Sequence, residues 1–283
     1  MEGVSERARA KLNLGLAVRG RRADGYHELH TLFATVDVCD EVRLVPRAEG
    51  VRLRVAGEVA VPGGRENLAW RAAAAYLEAA GARGGVEIEL TKRVPAGAGL
   101  GGGSADAAAV LRGLARMYPA GVDLAALARG LGADVPFLLR GGLAEARGVG
   151  EELRFLEPVE AHFVLVKPPL EAATAAAYAG LEPGDFGPEL DVPGILETLR
   201  RGAPPPWRND LERSVFRAHP ELAELKRALE ASGLAGVLMS GSGSTLFAPV
   251  ESREKAERYA DVLTQRYPGF WVRAASLVGG EGG

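Results

Sequence analysis

The stretch Val94–Ala109, VPAGAGLGGGSADAAA, decides how the rest of the chain is read. Five of the seven residues from Gly97 to Gly103 are glycine. Each glycine ordered on folding costs roughly 0.5–1 kcal/mol relative to alanine, so the run opposes folding. A chain keeps such a loop where backbone comes very close to another group, or where φ is positive. The residues behind the loop favour helix: Ser104 reads as an N-cap, and Ala105, Ala107, Ala108, Ala109, Val110 and Leu111 carry the helix on. A glycine loop running into a helix N-terminus presents free N–H groups and a positive dipole end to a phosphate. The alternative is a flexible turn with chance glycines, and the cap and helix directly behind the loop argue against it.

Known phosphate loops can be told apart by context. Gly97, Gly99 and Gly102 fit the dinucleotide spacing G-x-G-x-x-G, which needs a strand directly before it and an acidic strand end about 20 residues on. Here Lys92, Arg93 and Pro95 separate the loop from the strand-like run 86–90, and Tyr118-Pro119-Ala120-Gly121 is a turn. The fingerprint fails. Gly97–Ser104 nearly fits the P-loop, but Gly103 stands where its lysine belongs. A nucleotide site here must draw its cation from elsewhere in the chain.

The chain has 283 residues, 47% of them hydrophobic, enough for one large or two moderate domains with real cores. A net charge of −3 argues against a general nucleic-acid binder. The single cysteine, Cys39, excludes a disulfide framework, suits a reducing cytoplasm and reads as core. No apolar run approaches a membrane span, and the N-terminus carries no signal-like core. Strand-like runs at 41–45, 51–55, 86–90, 142–146, 163–167, 236–240, 245–248 and 270–276 mix with helix-like runs at 68–80, 105–117, 124–131, 220–232 and 253–267. Without strict alternation the class is α+β. In 220–232, Leu222, Leu225 and Leu229 mark the buried stripe. The segment Gly180–Trp207 reads as a long connection with one short helix, a boundary falls near 156–161, and Glu281-Gly282-Gly283 reads as a disordered tail.

Four further segments carry chemistry-bearing residues. Lys11 and Asn13 alternate with Leu12 and Leu14, so on a strand they share one face, either solvated or functional. Arg19–His27 joins an Asp-Gly turn to a cationic patch, with Tyr26 and His27 able to hold a planar base. Asp134 precedes Val135-Pro136 and reads as a helix cap that is compatible with catalysis. Met239–Thr245 links two strand-like runs, as an ordinary hairpin or as a second loop of N–H donors facing the first. Two of the chain's three asparagines, Asn13 and Asn209, fall in these segments or just before them.

The run Val-Pro-x-Gly-x-Gly-Leu-Gly-x-x-Ser-Ala resembles the ATP loop of the galactose, homoserine, mevalonate and phosphomevalonate kinases. The resemblance extends in order over nearly the whole chain: AKLNL, RADGYHELHTLF, the glycine loop, GADVPFLLRGG with GVGEEL, VLVKPP, NDLE and GVLMSGSGSTLFA. AKLNL and DGYH point to the branch whose acceptor is a cytidine-diphosphate-linked polyol, on the non-mevalonate route to isoprenoid precursors.

That resemblance implies an N-terminal domain, 1–156, like the second domain of ribosomal protein S5. It also implies a ferredoxin-like C-terminal domain, 157–283, with the site in the cleft between them. It implies transfer of the ATP γ-phosphoryl group to the 2-hydroxyl of the methylerythritol moiety, with Mg²⁺. Asp134 would be the base and Lys11 its partner cation. Pro95, Gly97, Gly99, Leu100, Gly101, Gly102, Gly103 and Ser104 would hold ATP, with Ser104 also a metal ligand. Asn13, Tyr26 and His27 would hold the cytidine end, Thr174 would line the pocket, and Tyr178 would sandwich the base against Tyr26. The expected partners are small molecules, with no nucleic acid and no membrane. Arg9 and Ser244 depart from the family pattern, each standing where proline is usual. Rivals are another small-molecule kinase of the family and a non-catalytic binding module on an S5-like fold.

Overall fold

The computed structural model describes residues 3–201 and 203–280, so the expected tail at 281–283 lies outside the described residues. In chain order the first half holds β1 (Val4–Arg21), β2 (His27–Arg47), β3 (Val51–Gly57), α1 (Leu68–Ala79), β4 (Gly85–Lys92), α2 (Gly102–Met117), α3 (Leu124–Leu131), α4 (Val135–Arg140), β5 (Leu143–Arg147) and β6 (Glu152–Leu156). The second holds β7 (His162–Lys167), α5 (Thr174–Ala179), a 3-10 turn at Pro183–Asp185, α6 (Val192–Arg200), α7 (Leu211–Ala218), α8 (Pro220–Ala231), β8 (Leu238–Met239), β9 (Leu246–Val250), α9 (Arg253–Arg266) and β10 (Trp271–Ser276).

A long β1–β2 hairpin organises the first sheet, its antiparallel register running from Val4↔Leu44 to Arg21↔His27. The far side of β2 is shared: β4 pairs with residues 41–47 and β5 with residues 31–34. β3 lies parallel to β4, and β6 closes the opposite edge on β5. Simple alternation finds only 41–45 of this hairpin because residues 10–18 are buried on both faces. β1 steps out of register between Arg9 and Lys11 and between Asn13 and Leu16. Such bulges re-aim side chains.

The second sheet runs β10-β7-β9-β8, all antiparallel, which is the order of a ferredoxin-like βαββαβ unit. β8 has two residues where the sequence suggests five. The Asn209 amide accounts for this: it takes the Met239 and Gly241 carbonyls, so the chain after β8 leaves the sheet as a loop. The fold is the expected two-sheet α+β arrangement.

Three clusters make the core. The first packs β2 and β4 against the alanine face of α2, where Ala105, Ala107, Ala108 and Ala109 are buried. Small side chains there let α1 and the sheet approach closely. The second is common to both halves: Leu12, Leu14 and Leu32 meet Phe163, Leu165 and Phe247. The third lies under α7, α8 and α9, with Leu222, Leu225 and Leu229 on the stripe read from the sequence. Cys39, expected as core, is half-buried beside Arg9 on β2, and its thiol is pushed up by that burial.

Candidate active site

The glycine loop follows β4, which ends at Lys92, and enters α2 at Gly102. The helix starts three residues earlier than its alanines suggest. Gly101 is the N-cap, in the left-handed region at φ +66°, and no side chain caps the helix, so Ser104 lies inside the first turn and is not the cap. Gly101 can adopt that φ because it has no Cβ, and with no capping oxygen the first N–H groups of α2 stay open to a ligand. This is the condition for binding a phosphate.

Lys11 and Asn13 lie side by side on β1, both buried, with Lys11 Nζ donating to Asn13 Oδ1 over 2.6 Å. Asn13 Nδ2 donates to Thr31 Oγ1, which donates to the Gly15 carbonyl, so the amide cannot turn. Their shared face lines a cleft and is not open to bulk solvent. Lys11 Nζ is 3.6 Å from Asp134 Oδ2, and the Lys11 amide donates to the Leu100 carbonyl. Asp134 occupies the N-cap position of α4 but caps nothing with its side chain. Its backbone is already helical (φ −82°, ψ −19°), whereas a capping carboxylate is carried on extended backbone. The carboxylate therefore faces Lys11 and the loop.

The segment after β8 packs directly on the glycine loop. Ser240 Oγ donates to the Gly99 carbonyl and accepts from the Asn13 amide, and the Thr245 amide reaches the Ala98 carbonyl. It is a second loop against the first, held in turn by Asn209 and by Glu212, whose carboxylate accepts from the Met239 amide. Asn209→Ala leaves two buried carbonyls unpaired, so it should destabilise the protein by about 1–3 kcal/mol. The expected result is a lower urea midpoint with an unchanged slope, measured against the wild type.

At the other end, an Asx-type turn presents Tyr26: its amide donates to Asp24 Oδ1 and its carbonyl accepts from the Arg22 amide. The Tyr26 ring is 66% exposed. His27 stacks on Tyr178 with centroids 5.3 Å apart, and Phe186 meets its edge at 6.2 Å. Tyr178 thus has His27 as its ring neighbour, and no contact with the Tyr26 ring is made among the described residues. Burial, with Arg21 beside it, lowers the His27 pKa, so the ring stays neutral near pH 7 and can both donate and accept. Burial, and secondarily the Asp134 carboxylate, raises Tyr178, keeping its phenol protonated. Thr174 Oγ1 bonds Ser242 Oγ at 2.8 Å.

One cleft of about 1180 Å³ joins all of this. Lys11, Asn13, Tyr26, His27, Pro95, Gly97, Gly99, Gly101, Gly102, Gly103, Ser104, Asp134, Thr174 and Tyr178 line it. Leu100 does not: its side chain is buried in the shared core, and its carbonyl ties the loop to β1. The cleft also takes in Phe33, Leu68, Phe186 and Ser242, which the sequence did not single out as ligand residues. Ser242 belongs to the second glycine run and was findable there; Phe186 sits in the irregular 180–207 segment and carries no pattern. Among the described residues no group of three or more His, Cys, Asp or Glu is placed to hold a metal, and no helix is long and apolar enough to cross a membrane.

Comparison with known proteins agrees with this geometry. Residues 67–142 match the model of the GHMP kinases N terminal domain, and residues 192–269 that of the GHMP kinases C terminal domain. The 4-diphosphocytidyl-2-C-methyl-D-erythritol kinase of Thermus thermophilus is 53% identical, over 98% of this chain and 97% of its own length. The enzyme of the same name from Deinococcus radiodurans is 46% identical over 95% and 92%. A crystal structure of 4-(cytidine 5'-diphospho)-2C-methyl-D-erythritol kinase superposes with a TM-score of 0.89 at 51% identity, covering 98% of this chain and all of that one. A phosphate-ready helix facing a lysine–aspartate pair, in a fold shared with these enzymes nearly end to end, places the chain in the GHMP kinase family, among the 4-diphosphocytidyl-2-C-methyl-D-erythritol kinases.

Proposed function

We propose that this kinase transfers the γ-phosphoryl group of ATP to the 2-hydroxyl of 4-diphosphocytidyl-2-C-methyl-D-erythritol. ATP is the phosphoryl donor of the family. The observation that carries the proposal is the Lys11–Asp134 pair lying across Gly101 from the open end of α2. A Cβ on Gly101 would meet Lys11 Cγ at 3.0 Å and Asp134 Oδ2 at 3.4 Å. The acceptor hydroxyl and the terminal phosphate are thereby brought to one point.

Phosphoryl transfer needs positioning and charge neutralisation above all. The open N–H groups of α2, from Gly102 to Ser104, and the loop Pro95–Gly101 hold the phosphates. Asp134 takes the proton of the hydroxyl as that oxygen bonds to the γ-phosphorus and the bond to the bridging oxygen of ADP breaks. Lys11 balances the charge that gathers between them, the task a P-loop lysine performs elsewhere. The Ser104 hydroxyl, in the first turn of α2, would ligate the Mg²⁺ of the triphosphate, which would supply neutralisation of phosphate charge. Asn13, Tyr26, His27, Thr174 and Tyr178 hold the cytidine diphosphate end. We assign the ATP-binding part to residues 1–156 and the remainder, 157–283, to the second domain, acting in the cytoplasm without nucleic-acid partners.

The test is ADP release with Mg-ATP and the cytidine substrate, with mass spectrometry of the product. A product heavier by one phosphate establishes reaction and acceptor together. ATP binding without turnover keeps the family and removes this acceptor, and a panel of homoserine, mevalonate and sugar acceptors is then the next assay. Tyr26→Ala should raise KM for the cytidine substrate up to about tenfold, the scale of one aromatic stacking contact, and leave KM for ATP near wild type. Equal changes in both constants would remove Tyr26 from base recognition.

A further inference from the structure

Beneath the glycine loop lies a buried ionic cluster that the proposed chemistry does not use. Lys92, at the end of β4, is 1% exposed; Asp40 is fully buried and Asp106 is 2% exposed. Lys92 Nζ donates to Asp106 Oδ2 at 2.9 Å and to Asp40 Oδ2. The other Asp40 oxygen accepts from the amides of Arg93 and Val94, at 2.5 and 2.8 Å. Among the described residues Asp106 Oδ1 has no hydrogen-bond partner.

The connectivity is what matters. Arg93 and Val94 are the backbone from which the loop departs, and Asp106 sits on α2, one turn beyond the point where the loop arrives. Lys92 bridges the two acidic side chains. Its ammonium also lies against the first residue of α2, since a Cβ on Gly102 would stand 3.3 Å from Nζ and 3.1 Å from Val94 Cγ1. Burial by itself would lower the lysine, but the two carboxylates outweigh it and raise its pKa, so the link stays charged. A buried ion cluster with one oxygen unpaired is a poor source of stability, since apolar residues of the same volume do as well or better. Its value lies in geometry.

We propose that Lys92, held between Asp40 and Asp106, is a positioning residue for ATP: it clamps the two ends of the glycine loop at a fixed separation, so that the loop and first-turn N–H groups are set for a triphosphate before it binds. The proposal rests on the assignment of this loop to ATP. Preset donors lower the ordering cost of binding, and a misplacement of about 1 Å in such a site costs on the order of 10²-fold in rate.

Asp106→Leu cuts the clamp on the helix side and leaves the Asp40–Lys92 pair intact; Asp106→Asn keeps an oxygen for Lys92. We expect Asp106→Leu to raise KM for ATP at least about tenfold, with KM for the acceptor within about twofold of wild type, and Asp106→Asn to restore the ATP constant. If Asp106→Leu does not fold, Asp40→Asn breaks the link to Lys92 from the other end while its remaining oxygen still accepts the Arg93 and Val94 amides. The same ATP-selective rise is expected from it. A fall in melting temperature with KM for ATP unchanged, or an equal rise in both constants, overturns the clamp. A wild-type protein that turns over no ATP in the same assay overturns the proposed function instead.

Discussion

Replacing Asp134 by alanine should lower kcat by about 10²–10⁴-fold, the range for loss of a general base, while KM for ATP changes little. Two features of the residue support this. It sits at the head of α4 without capping it, so removing the carboxylate breaks no bond that the helix depends on. Its partner is Lys11, 3.6 Å away, which keeps a second anchor in Asn13 at 2.6 Å. The lysine therefore stays placed when the carboxylate goes, and the lost rate reports proton removal rather than collapse of the site. Single-turnover kinetics on folded protein, checked by circular dichroism, is the measurement. A loss below about tenfold would remove Asp134 from the role of general base.

Gly99→Ala should be nearly as damaging by a different route. Gly99 has φ +73°, and a Cβ there would fall 1.9 Å from the Ser240 carbonyl oxygen and 3.1 Å from the Gly243 nitrogen. The neighbour is backbone, so no side chain can rotate away. The two glycine loops must separate, and with them the Ser240 hydroxyl that bridges the Gly99 carbonyl and the Asn13 amide. Displacing the loop by about 1 Å should cost on the order of 10²-fold in kcat/KM for ATP. Gly103, whose Cβ would meet only Leu68 Cδ1 at 3.8 Å, is the control: alanine there should be tolerated far better. Similar losses at both positions would mean that the contact with Ser240 is not what makes Gly99 necessary.

The glycine loop and the helix behind it were legible because their signals are local: glycines, then alanines, in one run. The α+β class and the buried stripe of α8 were legible for the same reason. Local reading failed for physical causes. Ser104 looked like a cap because the sequence does not show that Gly101 has already started the helix. β1 and β2 were read in fragments because strands buried on both faces do not alternate. Lys11 and Asn13 could have been solvated residues until the second loop and the shared core closed over their face. The Asp40–Lys92–Asp106 cluster joins the two flanks of the glycine loop to Asp40, 52 residues before Lys92, and no spacing rule reaches it.

The apolar cluster common to both sheets has a consequence for how the enzyme comes into being. Leu12, Leu14 and Leu32 belong to the strands made first, while Phe163, Leu165 and Phe247, which complete their burial, are synthesised more than a hundred residues later. A nascent chain carries that sticky surface uncovered through much of translation, the interval in which chaperone capture or aggregation is decided. Closing the cluster also sets the second glycine loop against the first, so the cleft is completed only when both halves have met.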